Sequence, residues 1–180
     1  MNDGNMAPSS LPDRRSIRLD GFDYRGTHSY FVTVCTHDRV PILGTINNNV
    51  IQLTPIGQMV ADEWIKTPRI RPYVSLDEWI VMPDHFHGII TIHHDHRAIQ
   101  RIAPTNGLAS NSLGSIIGQW KSITAKRIRA SGHPDFTWQR NYYDRIIRDA
   151  TAHAHVQQYI RNNPKNWISK SKKMIPWHKK

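Results

Sequence analysis

The sequence predicts an α+β domain with a ferredoxin-like (RRM-like) β-α-β-β-α-β core, an antiparallel sheet and an additional C-terminal helix. Three observations carry that expectation. The apolar pattern alternates between period two and period 3.6 in the order strand, helix, strand, strand, helix, strand, helix. Pro83-Asp84 separates two apolar-rich runs so closely that only a tight antiparallel hairpin can join them. At 180 residues the chain suits one core of ordinary size, so a second full domain is not expected.

Taken in order, residues 1–15 are rich in Asn, Asp, Pro and Ser without apolar periodicity and read as a flexible arm before a single domain over 16–170. Ser29 to Val40 is β-branched and alternating, which predicts the first strand, and Gly44 to Asn49 breaks it with turn residues. Thr54-Pro55 has the chemistry of an N-cap followed by proline in the first turn. It opens a helix whose face is Ile56, Met59, Val60 and Trp64, running to about Ile65. Leu76 to Met82 and His85 to Ile92 form the hairpin. Residues 94–112 lose any period and predict a linker or insertion. Leu113, Ile116, Ile117, Trp120 and Ile123 recur at helical spacing, with Gly132 as the stop. Phe136 to Ile147 reads as the last strand. Asp149 then caps a helix expected to run to about Asn162, where Pro164 ends it, and 171–180 is a basic tail.

The 24 Lys+Arg against 14 Asp+Glu give a formal charge of +10. Residues 1–90 carry 8 basic and 10 acidic side chains, net −2, while residues 91–180 carry 16 and 4, net +12. A solvated cationic surface would account for the excess, but its concentration in one half favours an anionic partner such as nucleic acid. The single cysteine, Cys35, lies in an apolar run where a buried thiol is the default, which fits a reducing compartment. No stretch approaches membrane-spanning length and the first residues lack a signal pattern, so a soluble, cytoplasmic protein without a membrane partner is expected.

His85 and His87, two apart on a strand, point to one face while Phe86 anchors the other. Two imidazoles side by side suit a divalent ion with open coordination positions, although neighbouring histidines on a sheet are common without one. Tyr159 and Asn163, four apart, share a helical face near the end of the last helix. An amide oxygen there could be a third, hard ligand, with the phenol one turn away and able to attack a phosphate. A tyrosine at the edge of an apolar stripe is also ordinary packing. His93-His94-Asp95-His96 invites a zinc site, but four contiguous residues cannot all converge on one ion, and a polar loop is the simpler account.

Met82-Pro83-Asp84-His85-Phe86-His87-Gly88 resembles the His-hydrophobic-His signature of HUH single-strand endonucleases, in the form found in REP-associated tyrosine transposases. Trp138-Gln139-Arg140-Asn141-Tyr142-Tyr143-Asp144 with Ile147-Arg148, and Tyr159-Ile160-Arg161-Asn162-Asn163-Pro164, resemble that family's second and third signatures, in the right order over roughly residues 28–168. The resemblance implies a transesterase for hairpin-bearing single-stranded DNA that passes through a 5′-phosphotyrosine link. It implies Tyr159 as nucleophile, and His85, His87 and Asn163 as ligands of Mg²⁺ or Mn²⁺. Lys165-Asn166 after the Asn-Pro departs from the family's usual small apolar residue and base.

Tyr142 and Tyr143 are rival nucleophiles, without a partner at helical spacing to complete a metal site. Lys121, Lys126, Arg140, Arg145, Arg148 and Lys165 are candidate phosphate contacts, and Trp138 a candidate platform for an unpaired base. Two other functions compete: a non-catalytic binder of single-stranded or hairpin nucleic acid, and a metal-dependent hydrolase that activates water. The second lacks a carboxylate beside the histidines other than Asp84. A monomer and a homodimer are equally compatible with the sequence.

Overall fold

In the computed structural model, residues 27–93 and 112–173 are described, with side chains through residue 167. The expected arm, most of the 94–112 connection and the end of the basic tail lie outside the described residues, as do His94, Asp95 and His96.

The first strand, β1 (His28–Cys35), is shorter than its alternating pattern predicts. The chain leaves the sheet at Thr36 and turns at His37–Arg39, with Asp38 and Arg39 in the left-handed region at φ 50° and 58°. The stretch read as turn residues is instead a hairpin, β2 (Gly44–Asn47) with β3 (Val50–Leu53). Asn48 and Asn49 both have positive φ, and asparagine is among the few residues that form such a two-residue turn at low cost. The Asn-rich run therefore marks the tip of a hairpin rather than a break.

Helix α1 (Pro55–Ile65) begins as its capping chemistry predicts, the Thr54 hydroxyl accepting from the Gly57 N–H. A Cβ at Gly57 would stand 1.9 Å from the Leu43 carbonyl oxygen, so glycine lets the helix seat on the hairpin. A short helix, α2 (Thr67–Ile70), leads into β4 (Val74–Val81), which pairs with β5 (His85–Ile92) across the tight Pro83-Asp84 turn. Helix α3 (Leu113–Ala130) is capped by Ser112 and is followed by Gly132 at φ 102°. The predicted last strand is confined to β6 (Tyr143–Ile147), with Trp138 making only an isolated bridge to Thr36.

The sheet order is β4-β5-β1-β6, with every neighbouring pair antiparallel, which is the ferredoxin-like arrangement. Tyr30, Val32, Val34, Phe86 and Ile90 join α1 and α3 in one core on one side of the sheet. Trp64 packs against Phe86 and Trp120 there, at ring separations of 4.6 and 5.4 Å. Helix α4 (Ala150–Lys173) covers the other side, chiefly over β4 and β5. Its expected end at Pro164 is overturned, since the proline lies inside the helix. An internal proline costs about 3 kcal/mol in an isolated helix, so tertiary contacts must hold the turn. Ile160, Asn163 and Pro164 are all buried, and Arg161 binds Glu78 just before it. No described helix is long and apolar enough to cross a membrane.

Candidate active site

The site lies on the α4 side of the sheet. Alternation along β5 sends Phe86 and Gly88 into the helical core and His85 and His87 to the opposite face. Both imidazoles are 5% exposed, and their Nε2 atoms face each other at 3.0 Å. Each Nδ1 is already engaged. That of His85 meets the Asp84 carboxylate, and that of His87 lies 2.8 Å from the Thr33 hydroxyl, brought opposite it by the β1–β5 register.

A carboxylate only accepts, so the Asp84 contact puts the His85 proton on Nδ1 and leaves an Nε2 lone pair pointing at His87. Asp84 is itself buried and held by Arg39, whose Nε lies 3.0 Å from Oδ2. Arg39 also donates from Nη1 to the Cys35 sulfur at 2.6 Å, while burial pushes the Cys35 thiol up from its ordinary value. The Asp84 backbone carbonyl accepts from both the Thr36 N–H and hydroxyl, so the turn ahead of the histidines is fastened at several points.

Helix α4 brings the third group. Tyr159, Asn163 and Trp167 recur every four residues and so share one helical face. The Tyr159 ring stands 5.4 Å from that of His87, and the Trp167 ring 5.6 Å from that of His85. Asn163, between them on the same helical face, is 6% exposed. Phe31 contacts both His87 and Tyr159, at 5.2 and 5.8 Å, the latter edge-on. Tyr159 is nevertheless 43% exposed, so its phenol is open to a ligand.

Two imidazole nitrogens 3.0 Å apart match neighbouring ligands on an octahedral ion with bonds of about 2.1 Å. Among the described residues no three His, Cys, Asp or Glu side chains converge as a cage, so an ion here would have two imidazoles, an amide oxygen and positions left open. That donor set fits a cation that must still accept a substrate oxygen.

Beyond Tyr159, β1, β6 and α4 enclose a cleft of about 470 Å³, with Thr33 and Phe31 in its floor and Arg145 in its wall. Lys126, Arg140, Arg145, Arg148 and Lys165 are all exposed, Lys126 on α3 and therefore on the far side of the sheet from the histidines. Lys121 is placed differently from its expected use: its ammonium donates to the carbonyls of Gln139, Arg140 and Asn141, and burial lowers its pKa. Trp138 requires a correction as a base platform. It is buried, stacked on Trp120 at 5.4 Å, and its Nε1 donates to Thr124 Oγ1, so no face is open to a base.

Sequence reasoning brought His85, His87, Tyr159 and Asn163 forward, and the fold gathers all four. It missed Thr33 and Arg39, which only long-range pairing places, and it left Asp84 as a turn residue. Trp167 carried a signal in its four-residue spacing from Asn163, hidden by the expected helix end at Pro164.

No protein-family model matches the sequence. An uncharacterised protein of Haemophilus influenzae is 36% identical over 167 residues, covering 88% of this chain and 92% of the relative. Among solved structures, a REP-associated tyrosine transposase bound to a REP hairpin is similar with a TM-score of 0.54 and 25% identity, over 78% of this chain and 68% of that one. A candidate transposase of Deinococcus radiodurans is more distant, 17% identical with a TM-score of 0.47 over 81% of this chain and 97% of that one, and adds nothing to the assignment.

Proposed function

We propose that this chain, whose fold is similar to that of a REP-associated tyrosine transposase and whose three motifs resemble the signatures of that family, cuts and rejoins single-stranded DNA through a transient link to Tyr159. The observation that carries this reading is the seating of a half-exposed tyrosine against His87, on the helical face that it shares with the buried Asn163.

The Tyr159 hydroxyl loses its proton as its oxygen attacks the scissile phosphorus, the bond from phosphorus to the 3′ oxygen breaks, and the leaving 3′ oxygen takes up a proton to become the free 3′-hydroxyl. The phosphate then joins tyrosine to the 5′ end of the downstream strand, and attack by a 3′-hydroxyl reverses the step. Phe31 and His87 fix the phenol ring, which lowers the orientational cost of in-line attack. Asp84 and Thr33 hold the two imidazoles with Nε2 directed inward. His85, His87 and Asn163 would hold Mg²⁺ or Mn²⁺, which when bound supplies positive charge to the phosphate oxygens. Hairpin-bearing single strands are the proposed substrate, by analogy with the hairpin on the structurally similar transposase.

A water-activating hydrolase is less well supported, since the carboxylate nearest the pair is committed to His85 and Arg39. The deciding experiment traps the adduct. A hairpin oligonucleotide labelled 3′ of the cut is expected to give, with Mg²⁺ or Mn²⁺, a protein–DNA band that survives denaturation and maps to Tyr159. Tyr159→Phe should remove it. Free ends without attached protein would favour the hydrolase, binding without any cleavage would favour the non-catalytic reading, and an adduct on Tyr142 or Tyr143 would reassign the nucleophile.

A further inference from the structure

The cleft beside Tyr159 carries an aromatic surface that the cutting step does not use. β6 is the outer strand of the sheet, and its register sets Tyr143 opposite Thr33 and Arg145 opposite Phe31. Residues opposed in register share a face, so Tyr143 and Arg145 project on the histidine side. Helix α4 supplies the facing wall through Val156 and Tyr159. Tyr143 is 67% exposed, more than any other described large hydrophobic residue, and it is exposed inside this recess.

A lone exposed ring is ordinary surface. Here three features coincide: a volume of about 470 Å³, in the range that holds one small ligand; the open aromatic ring of Tyr143; and an exposed arginine at the wall. Sites for unpaired nucleic acid combine the same elements, a ring for the base and a cation for the backbone. The net +12 of the second half of the chain, to which β6 belongs, is complementary to that backbone.

Resting on the reading of Tyr159 given above, we propose that this cleft seats one unpaired nucleotide adjacent to the scissile phosphate, its base stacked on Tyr143 and its phosphate met by Arg145. Since Tyr143 and Tyr159 line the same recess, a nucleotide seated on the first lies next to the phosphate presented to the second. A paired base has its faces covered by its stacked neighbours, so the seat selects single-stranded flanks over duplex. Tyr143, read from the sequence as a rival nucleophile, is on this account a specificity residue.

The test uses the full chain carrying Tyr159→Phe, so that no cutting intervenes. 2-Aminopurine, whose fluorescence is quenched by stacking, is placed at each unpaired position of a hairpin oligonucleotide in turn. Quenching is expected at one position. Adding Tyr143→Ala should abolish it there and weaken binding about tenfold or more, whereas Tyr143→Phe should preserve both, because stacking needs the ring and not the hydroxyl. An abasic site at that position should weaken binding to a similar degree and add little in the Tyr143→Ala protein. No quenching at any position, quenching that survives Tyr143→Ala, or a Tyr143→Phe protein that behaves like Tyr143→Ala would overturn the seat. An unchanged thermal midpoint in both variants, expected for so exposed a side chain, assigns the effects to binding. The two readings fail separately: a wild-type protein that forms no adduct removes the nucleophile but not the stacking signal, and loss of that signal leaves an adduct untouched.

Discussion

The two imidazoles meet through their inner nitrogens, and in this chain the neighbours fix that arrangement. Asp84 holds the His85 proton on Nδ1 and Thr33 engages the outer nitrogen of His87, so the inner nitrogens are the ones oriented toward the proposed cation position. His85→Ala and His87→Ala are each expected to abolish cleavage while leaving most DNA affinity, because phosphate contacts are spread over many side chains and the ion has few ligands. Adduct formation and a filter-binding isotherm separate the two effects. Asn163→Ala should be milder, since water replaces an amide oxygen more readily than an imidazole. Asp84→Ala tests the orienting role itself: the Mn²⁺ concentration for half-maximal adduct formation should rise about 10- to 100-fold, and saturating metal should restore much of the yield. Loss that no metal concentration repairs would place Asp84 in folding rather than in ligand orientation.

Helix α4 is the element on which the site depends, and its attachment to the sheet is largely polar along β4. Gln157 donates to both oxygens of Asp77, His153 Nε2 lies 2.6 Å from Asp77, and Arg161 donates to Glu78, all on the side of the helix away from the cleft. Asp77→Ala should therefore loosen the placement of Tyr159. We expect adduct yield to fall about 10- to 100-fold, the scale set by misplacing a reacting group by an ångström, with a stability loss of only about 1 kcal/mol. Single-turnover kinetics and thermal unfolding measure the two, and an unchanged rate would show that Ile160 and its packing suffice. The same helix marks how far the sequence could be read. Its start, its face and the Tyr159–Asn163 pairing follow from periodicity, whereas its passage through Pro164 is a tertiary outcome that local preference opposes. The β2–β3 hairpin was obscured for the opposite reason, as two asparagines that form its tip resemble a simple break. Thr33 reaches His87 only through strand register, and Arg39 reaches Asp84 only through a left-handed turn, neither of which has a local signature.

At the scale of the molecule, the cationic excess of the second half is divided between structure and surface. Lys121 holds the loop ahead of β6 by three carbonyls, while Arg145 is exposed in the cleft wall and Arg148 is exposed just beyond the end of that strand. Counterion release gives these groups different signatures even if each variant weakens binding at one salt concentration. A side chain that meets a phosphate contributes about one unit to the slope of log affinity against log salt, whereas a side chain that shapes the surface lowers affinity without changing the slope. Arg145→Ala and Arg148→Ala are thus each expected to reduce the slope by about one and to leave the unfolding midpoint in place. Lys121→Met should leave the slope unchanged and cost about 1 kcal/mol of stability, because three partly exposed carbonyls lose a shared donor. Titrations of a hairpin oligonucleotide at several salt concentrations, paired with denaturant unfolding, distinguish these outcomes. A reduced slope for Lys121→Met would return that residue to the DNA interface, and undiminished slopes for both arginine variants would move the phosphate path away from β6.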